Sequence, residues 1–136
     1  MHELSIKSSD KCEMIEISSQ INRLISKEGF EEGALLISVP HTTAAVTINE
    51  SHDSDVKRDI ISRLNSIVPF SGDYRHREGN SPAHIKSVLV GSDQMVPVEN
   101  GKLALGTWQG IFFCEFDGPR SRKIDLQFIS PPSDPQ

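Results

Sequence analysis

Three histidines and a set of arginines and carboxylates are the residues of this sequence best able to do chemistry. His41 stands in "VPHTTAAV", between a proline and a threonine pair. His76 and His84 stand in "DYRHREGNSPAHIK", residues 73–86, with seven residues between them. Neutral imidazole binds metals and carries protons near pH 7. Three imidazoles with one open position make a site of the catalytic-zinc type. Such an ion activates water or polarises a phosphoryl oxygen. The separation of His76 and His84 matches no short metal motif such as HExxH. Their convergence therefore needs a chain reversal, for which "GNSP" supplies turn formers. The alternative is a polar loop with two solvated histidines, and a His41 that merely marks a strand junction.

Positive charge gathers near these histidines. Arg75, Arg77 and Lys86 share their stretch, and "CEFDGPRSRK" adds Arg120 and Arg122 beside Glu115 and Asp117. Guanidinium matches phosphate in bidentate geometry, so these groups suit an anion clamp. Equally, they suit ion pairs at a charged hairpin end, which contribute little. Asn49 and Glu50 close a strand, and either Glu50 or Glu115 could serve as a general base. As a helix cap, Asn49 or Glu50 would also be in its natural place. In "GTWQG", Trp108 offers a stacking surface for a flat ring or a core anchor, and Gln109 can read a heteroatom edge. A nucleophilic mechanism has less support. Cys114 sits mid-strand as a buried filler, and there is no GxSxG elbow, Walker loop or GxGxxG.

Positioning these groups requires strands and helices whose periods are visible. "CEMIEISS" alternates as a strand, and "SSQINRLISKEG" switches to helical spacing at Ile17, Ile21, Leu24 and Ile25. Ser18 or Ser19 is the expected cap, Lys27 suits the last turn and Gly29 the exit. "GALLISVP" reads as a buried strand and "TTAAVTINE" as another. "HDSDVKRDIISRLNSIVP" predicts a helix with Val56, Ile60, Leu64 and Ile67 on one face. "SPAHIKSVLVG" opens as a helical turn with Ser81 as cap and Pro82 first. Asn100-Gly101 between Val96/Val98 and Leu103/Leu105 signals a hairpin. Two alternating strands follow; in the last, Ile124, Leu126 and Phe128 face one way. The sum is six to eight strands and two or three helices, with the helices early. That favours an α+β fold on a mixed or antiparallel sheet.

Size and composition limit the function classes. A chain of 136 residues is one domain, here residues 1–129, with "SPPSDPQ" (130–136) as a flexible tail. Hydrophobic content of 36% and charge content of 24% describe an ordinary globular protein. A net charge of −5 disfavours nucleic acid as a partner. No apolar run reaches the roughly 20 residues of a membrane span. The N-terminus lacks the plan of a signal peptide, and Cys12 and Cys114 form no CxxC pair. A cytoplasmic protein with reduced thiols is expected.

"HTTAAVTINE", "DYRHREGNSPAHIKSVLVG" and "ENGKLALGTWQGIFFCEFDGPR", in that order, resemble the YjbQ-like family, and the resemblance covers about residues 3 to 129. It is most specific from Ser87 through Gly91 to "GTWQGIFF". The resemblance implies an α+β fold on a mixed sheet, a homotrimer, and a cleft near subunit contacts where histidines gather, often with a metal ion. Its polar positions fall on His41, Thr42, Asn49, Glu50, Asp73, Arg75, His76, Asn80, His84, Lys86, Gln109, Glu115, Asp117 and Arg120. The implied activity is a secondary thiamine-phosphate synthase, which joins hydroxymethylpyrimidine diphosphate to thiazole phosphate and releases pyrophosphate.

Three expectations follow. The first is that synthase, with His41, His76 and His84 on a divalent ion (zinc first, magnesium or manganese otherwise). In it Arg75, Lys86, Arg120, Asn80 and Trp108 hold a small phosphorylated metabolite, and Glu50, Glu115, Asn49 and Gln109 serve catalysis. The second is a metal-dependent hydrolase using the same site. The third is a non-catalytic trimeric module that binds a metal or small ligand.

Overall fold

The computed structural model describes residues 1–133. Two antiparallel sheets form its frame. One has strand order β1-β8-β3-β5-β6, and the other β2-β7-β4. The strands are β1 (His2–Lys7), β2 (Glu13–Glu16), β3 (Gly33–Ser38), β4 (Ala44–Glu50), β5 (Asp93–Glu99), β6 (Lys102–Leu103), β7 (Gln109–Glu115) and β8 (Ser121–Ile129). The helices are α1 (Ser18–Glu28), α2 (Ser54–Ile67) and α3 (Ser81–Val90). All of these strand pairs are antiparallel. The α+β expectation holds, with the strands divided between two sheets. Of residues 130–136, the stretch 130–133 has no regular structure, and 134–136 lie outside the described residues.

Alternation explains how the layers pack. In β7, Ile111 and Phe113 join one core with Leu35, Ile37, Ile124 and Leu126 of the larger sheet and Ile17, Ile21 and Ile25 at α1. Phe112, Cys114 and Phe116 join a second core with Ala83 of α3 and Ile60, Ile61 and Leu64 of α2. The smaller sheet is therefore covered on both faces, and "IFFCEF" reads as an unbroken run for that reason. Fully burying one such side chain contributes about 1.5–3 kcal/mol.

The helix ends depart from expectation in informative ways. α1 begins after Ile17, whose hydrocarbon side chain cannot cap it, and the Ser18 hydroxyl accepts from the Ile111 amide at 2.8 Å rather than from its own helix. Gly29 closes α1 with φ 67°, in the left-handed conformation glycine adopts freely. α2 is capped by Asp53, whose carboxylate accepts from the Asp55 amide at 2.9 Å. Its expected apolar stripe is only half used. None of its residues is fully buried, and Ile67 is 62% exposed. α3 runs for ten residues rather than a single turn, and its cap is Asn80, not Ser81. The hairpin at Asn100-Gly101 has φ 52° and 76°, the pair of positive values a type I′ turn needs. β1 was not foreseen. Its alternating exposure pairs it with β8 along the edge, so its apolar signal is confined to Leu4 and Ile6.

Candidate functional site

His41, Thr42, His84 and Arg120 line one groove, together with Thr43, Glu78, Asn80 and Arg122. Its volume is about 360 Å³. An adjoining cavity of about 430 Å³ shares His41, Thr42 and His84 and continues past Ser87, Val88 and Gly91. His41 is placed by the turn between β3 and β4, His84 by the first turns of α3, and Arg120 by the turn between β7 and β8. These are the ends of three elements, where loop residues gather around a rigid frame.

Each ionisable group in the groove has a defined setting. His41 Nε2 lies 3.1 Å from both the amide nitrogen and the carbonyl oxygen of Lys123. That nitrogen is therefore occupied in either tautomer. Burial and the nearby Arg122 charge push the His41 pKa below its ordinary value, which favours neutral imidazole. His84 packs edge to face on His76, with ring centroids 5.4 Å apart. His76 also reaches Glu78 at 3.8 Å. Arg120 lies against Asp117, with one nitrogen 3.0 Å from Oδ2 and Nε donating to the Asp117 carbonyl at 2.9 Å. Asp117 also accepts from Asn80 Nδ2 at 3.0 Å and from Lys11 at 3.3 Å. Burial would raise the Asp117 pKa, but these donors and charges hold it below the usual carboxylate value.

Behind the groove stands a buried ion pair that sequence reasoning placed on the surface. Arg122 donates to Glu115 through Nε at 2.9 Å and through a terminal nitrogen at 2.5 Å. Ser8 Oγ and the Asp117 amide donate to the same carboxylate at 2.7 and 3.0 Å. Arg122 also reaches the Thr43 hydroxyl at 2.8 Å. Glu115 is 0% exposed and Arg122 6%. Burial alone would raise the Glu115 pKa, but Arg122, Ser8 and the Asp117 amide bring it below its ordinary value. A carboxylate so fully occupied is a poor general base, which removes the catalytic role expected for Glu115. The missed signal was alternation. Arg122 has the parity of Ile124 and Leu126, and Glu115 that of Ile111 and Phe113, so both point inward.

Lys86 is the second correction. It was expected on phosphate, but it is 0% exposed and turned away from the groove. Its amine donates to Asn65 Oδ1 at 2.6 Å, lies 3.9 Å from Cys12 Sγ and sits 4.4 Å from the centre of the Phe70 ring. At 3.6 residues per turn, two positions along α3 rotate a side chain by roughly 200° from His84. Burial pushes the Lys86 pKa below its ordinary value. Cys114 is likewise buried, with its thiol pushed up to about 12, so it is the inert filler expected.

The remaining expected residues lie elsewhere. Arg75 is exposed and lines neither part of the groove. Glu50 accepts from the amides of His52 and Asp53 at 2.6 and 3.3 Å, which makes it a partner of the α2 N-terminus. Asn49 and Gln109 are exposed at that same end of the β4–β7 ladder. Gln109 accepts from the Gly106 amide at 2.7 Å. Trp108 is not a core anchor. It is 62% exposed and meets His52 edge to face at 5.2 Å. Six residues of ladder separate Glu50 from Ala44, about 20 Å at strand rise. The polar residues thus occupy two ends of one sheet rather than one cleft.

A resident metal does not fit the donors within one chain. Among the described residues no three His, Cys, Asp or Glu side chains stand close enough to hold an ion together. His76 and His84 meet, but His41 keeps one nitrogen on the Lys123 backbone.

The family model described as "UPF0047 protein YjbQ-like" matches residues 2–131. The chain belongs to the YjbQ-like family. The UPF0047 protein YugU of Bacillus subtilis is 52% identical over 127 residues, covering 93% of this chain and 96% of that one. The UPF0047 protein MJ1081 of Methanocaldococcus jannaschii is 48% identical, covering 91% and 90%. A solved family structure from Clostridium acetobutylicum superposes with a TM-score of 0.92 at 49% identity, covering 95% of this chain and 100% of that one. That YjbQ-like structure thus shares this α+β frame along its full length.

Proposed function

We propose that the groove of His41, Thr42, His84 and Arg120 binds the phosphate of a small phosphorylated metabolite and stabilises it as a leaving group. One observation carries this reading: a guanidinium and two imidazoles line a single groove, while both candidate carboxylate bases are committed elsewhere. Neither Glu50 nor Glu115, the two carboxylates expected as general base, offers one to this groove. Departure of pyrophosphate from an activated methylene needs instead positive charge and a proton donor at the departing oxygens. Arg120 supplies the charge. His84 can serve as the proton donor there, and neutral His41 has Nδ1 to offer as a hydrogen-bonding group. The transfer reaction suggested by the family resemblance, synthesis of thiamine phosphate, is therefore favoured over a metal-dependent hydrolase. It is written without a metal ion because the donors in one chain do not enclose one.

The homotrimer is kept as part of this proposal. Ile85, Val88 and Leu89 of α3 are 39%, 83% and 58% exposed, and Val88 lines the groove's extension. A second copy covering that face would bury apolar area and close the groove. No helix among the described residues is long and apolar enough to cross a membrane. The free thiols Cys12 and Cys114 suit a reducing, cytoplasmic setting.

Incubation with hydroxymethylpyrimidine diphosphate and thiazole phosphate, followed by chromatography of thiamine phosphate, tests the reaction. His84→Ala should lower turnover by about 100-fold, the scale of general acid catalysis. Turnover unchanged in both His84→Ala and Arg120→Gln would sink the assignment. Phosphate release from a panel of esters without any synthesis would favour the hydrolase.

A further inference from the structure

Arg122 faces two ways. Its Nε donates to Glu115 Oε1 at 2.9 Å, and its Nη2 donates to Glu115 Oε2 at 2.5 Å and to the Thr43 hydroxyl at 2.8 Å. That edge of the guanidinium is thereby fixed. A guanidinium also carries donors on its second terminal nitrogen, Nη1. Among the described residues Nη1 has no acceptor. Nor is it sealed off from solvent. Among those residues, the one buried side-chain nitrogen or oxygen without a partner is Asn80 Oδ1. Nη1 therefore keeps accessible surface. Arg122 is only 6% exposed, yet it lines the groove, so its open nitrogen is the part able to meet a ligand there.

Glu115 does not cancel this charge at the groove. Its carboxylate is 0% exposed and holds the edge of the guanidinium away from Nη1. The pair thus turns its positive end to the groove. Arg120 is a different kind of donor. Its side chain is 49% exposed, and both of its bonds go to Asp117, three residues away. An exposed arginine loses rotamer freedom when it grips an anion, whereas Arg122 has already lost it on folding. A donor held in place before the ligand arrives needs no reorganisation to act. A buried ion pair is seldom more stable than a well-packed apolar pair, so a role at the groove accounts for this one better than stability does.

We propose that Arg122 is the fixed anion donor in the wall of the groove, that its Nη1 takes an oxygen of the bound phosphate, and that Glu115 is the positioning residue that aims it. This rests on the anion-binding reading of the groove and gives that site a contact the reading does not contain. Arg120 then closes on the anion from the exposed side, while Arg122 and Thr43 hold the inner side.

Inorganic phosphate is the probe, titrated into the full chain by calorimetry and by NMR of the arginine guanidinium signals. In the parent, phosphate should shift the Arg122 Nη signals. Arg122→Lys keeps a cation for Glu115 but has no second terminal nitrogen to present. Arg122→Met combined with Glu115→Leu removes one charge of each sign, so the net charge stays at −5. An apolar pair often replaces a buried ion pair at little cost, and a urea midpoint near the parent's shows that this double variant is folded. Both variants should bind phosphate at least about tenfold more weakly, the scale of one charge-assisted hydrogen bond. A purely structural Arg122 would leave affinity unchanged in the folded double variant. Phosphate binding that is weakened by Arg120→Gln but kept at parent strength by the double variant overturns this assignment alone. Phosphate that fails to bind the parent overturns the groove reading and this assignment together.

Discussion

The two ends of the β4–β7 ladder carry the same kinds of residue and use them differently. At the Glu50 end, Glu50, Asn49, Gln109 and Trp108 are half-buried or exposed, and the side-chain hydrogen bonds of Glu50 and Gln109 stay within three residues. At the Glu115 end, bonds of Glu115 and Arg122 reach Ser8 just after β1, the β3–β4 turn and the β7–β8 turn. A glutamate at the first end caps a helix; a glutamate at the second organises the wall behind a groove. The difference lies in burial. A carboxylate removed from water must gather compensating donors, and donors from distant segments tie those segments together.

The largest test of this contrast is Arg122→Met. It leaves Glu115 buried without its counter-charge and should cost about 3–5 kcal/mol in urea unfolding. Adding Glu115→Leu should restore much of that loss, because an apolar pair often replaces a buried ion pair at little cost. The depressed Glu115 pKa means that its stabilisation is present above the unfolded value near ~4.3 and lost as pH falls below it. The double variant should flatten that acid slope. A single Arg122→Met variant as stable as the parent would remove the distinction between the ends.

Smaller effects sharpen the comparison. Arg120→Gln should weaken binding of inorganic phosphate about tenfold, the scale of one charge-assisted contact. Its unfolding midpoint should hardly move, since its partner Asp117 keeps Asn80 and Lys11. Trp108→Ala, at the far end, should leave phosphate affinity unchanged. A loss there would mean that the two ends meet between copies of the chain, which light scattering of the assembly would check. Lys86→Met should be neutral or stabilising by about 1 kcal/mol near pH 7. Because burial lowers the Lys86 pKa, the unfolded chain binds more protons up to its ordinary value near ~10.4. Parent stability therefore rises with pH through that window, and the variant should rise less. The smallest effect is Glu50→Gln, about 0.5 kcal/mol from the weakened interaction with the α2 N-terminus.

Much of the frame was legible because period and capping are local. Gly29, the Asn100-Gly101 turn and the strand alternation all act within a few residues, and each appears where it was read. The α2 stripe was legible in position but not in burial, since burial depends on what the rest of the fold brings against it. Of the site, His41, His84 and Arg120 share a groove. Glu115 and Lys86 were misread because a charged residue in a sequence looks solvated until its facing direction is known. For Glu115 and Arg122 strand parity carried that information, and for Lys86 the helical angle from His84 did.

The sequence by itself determined most of the elements, the hairpin turn and the residue types available for chemistry, since these depend on contacts a few positions long. Tertiary structure alone decided which charges were buried, which pointed at one another and which shared a cavity. Glu115 and Arg122 lie on neighbouring strands in sequence but in different sheets, so only the packing of the two sheets could bring their charges together away from water.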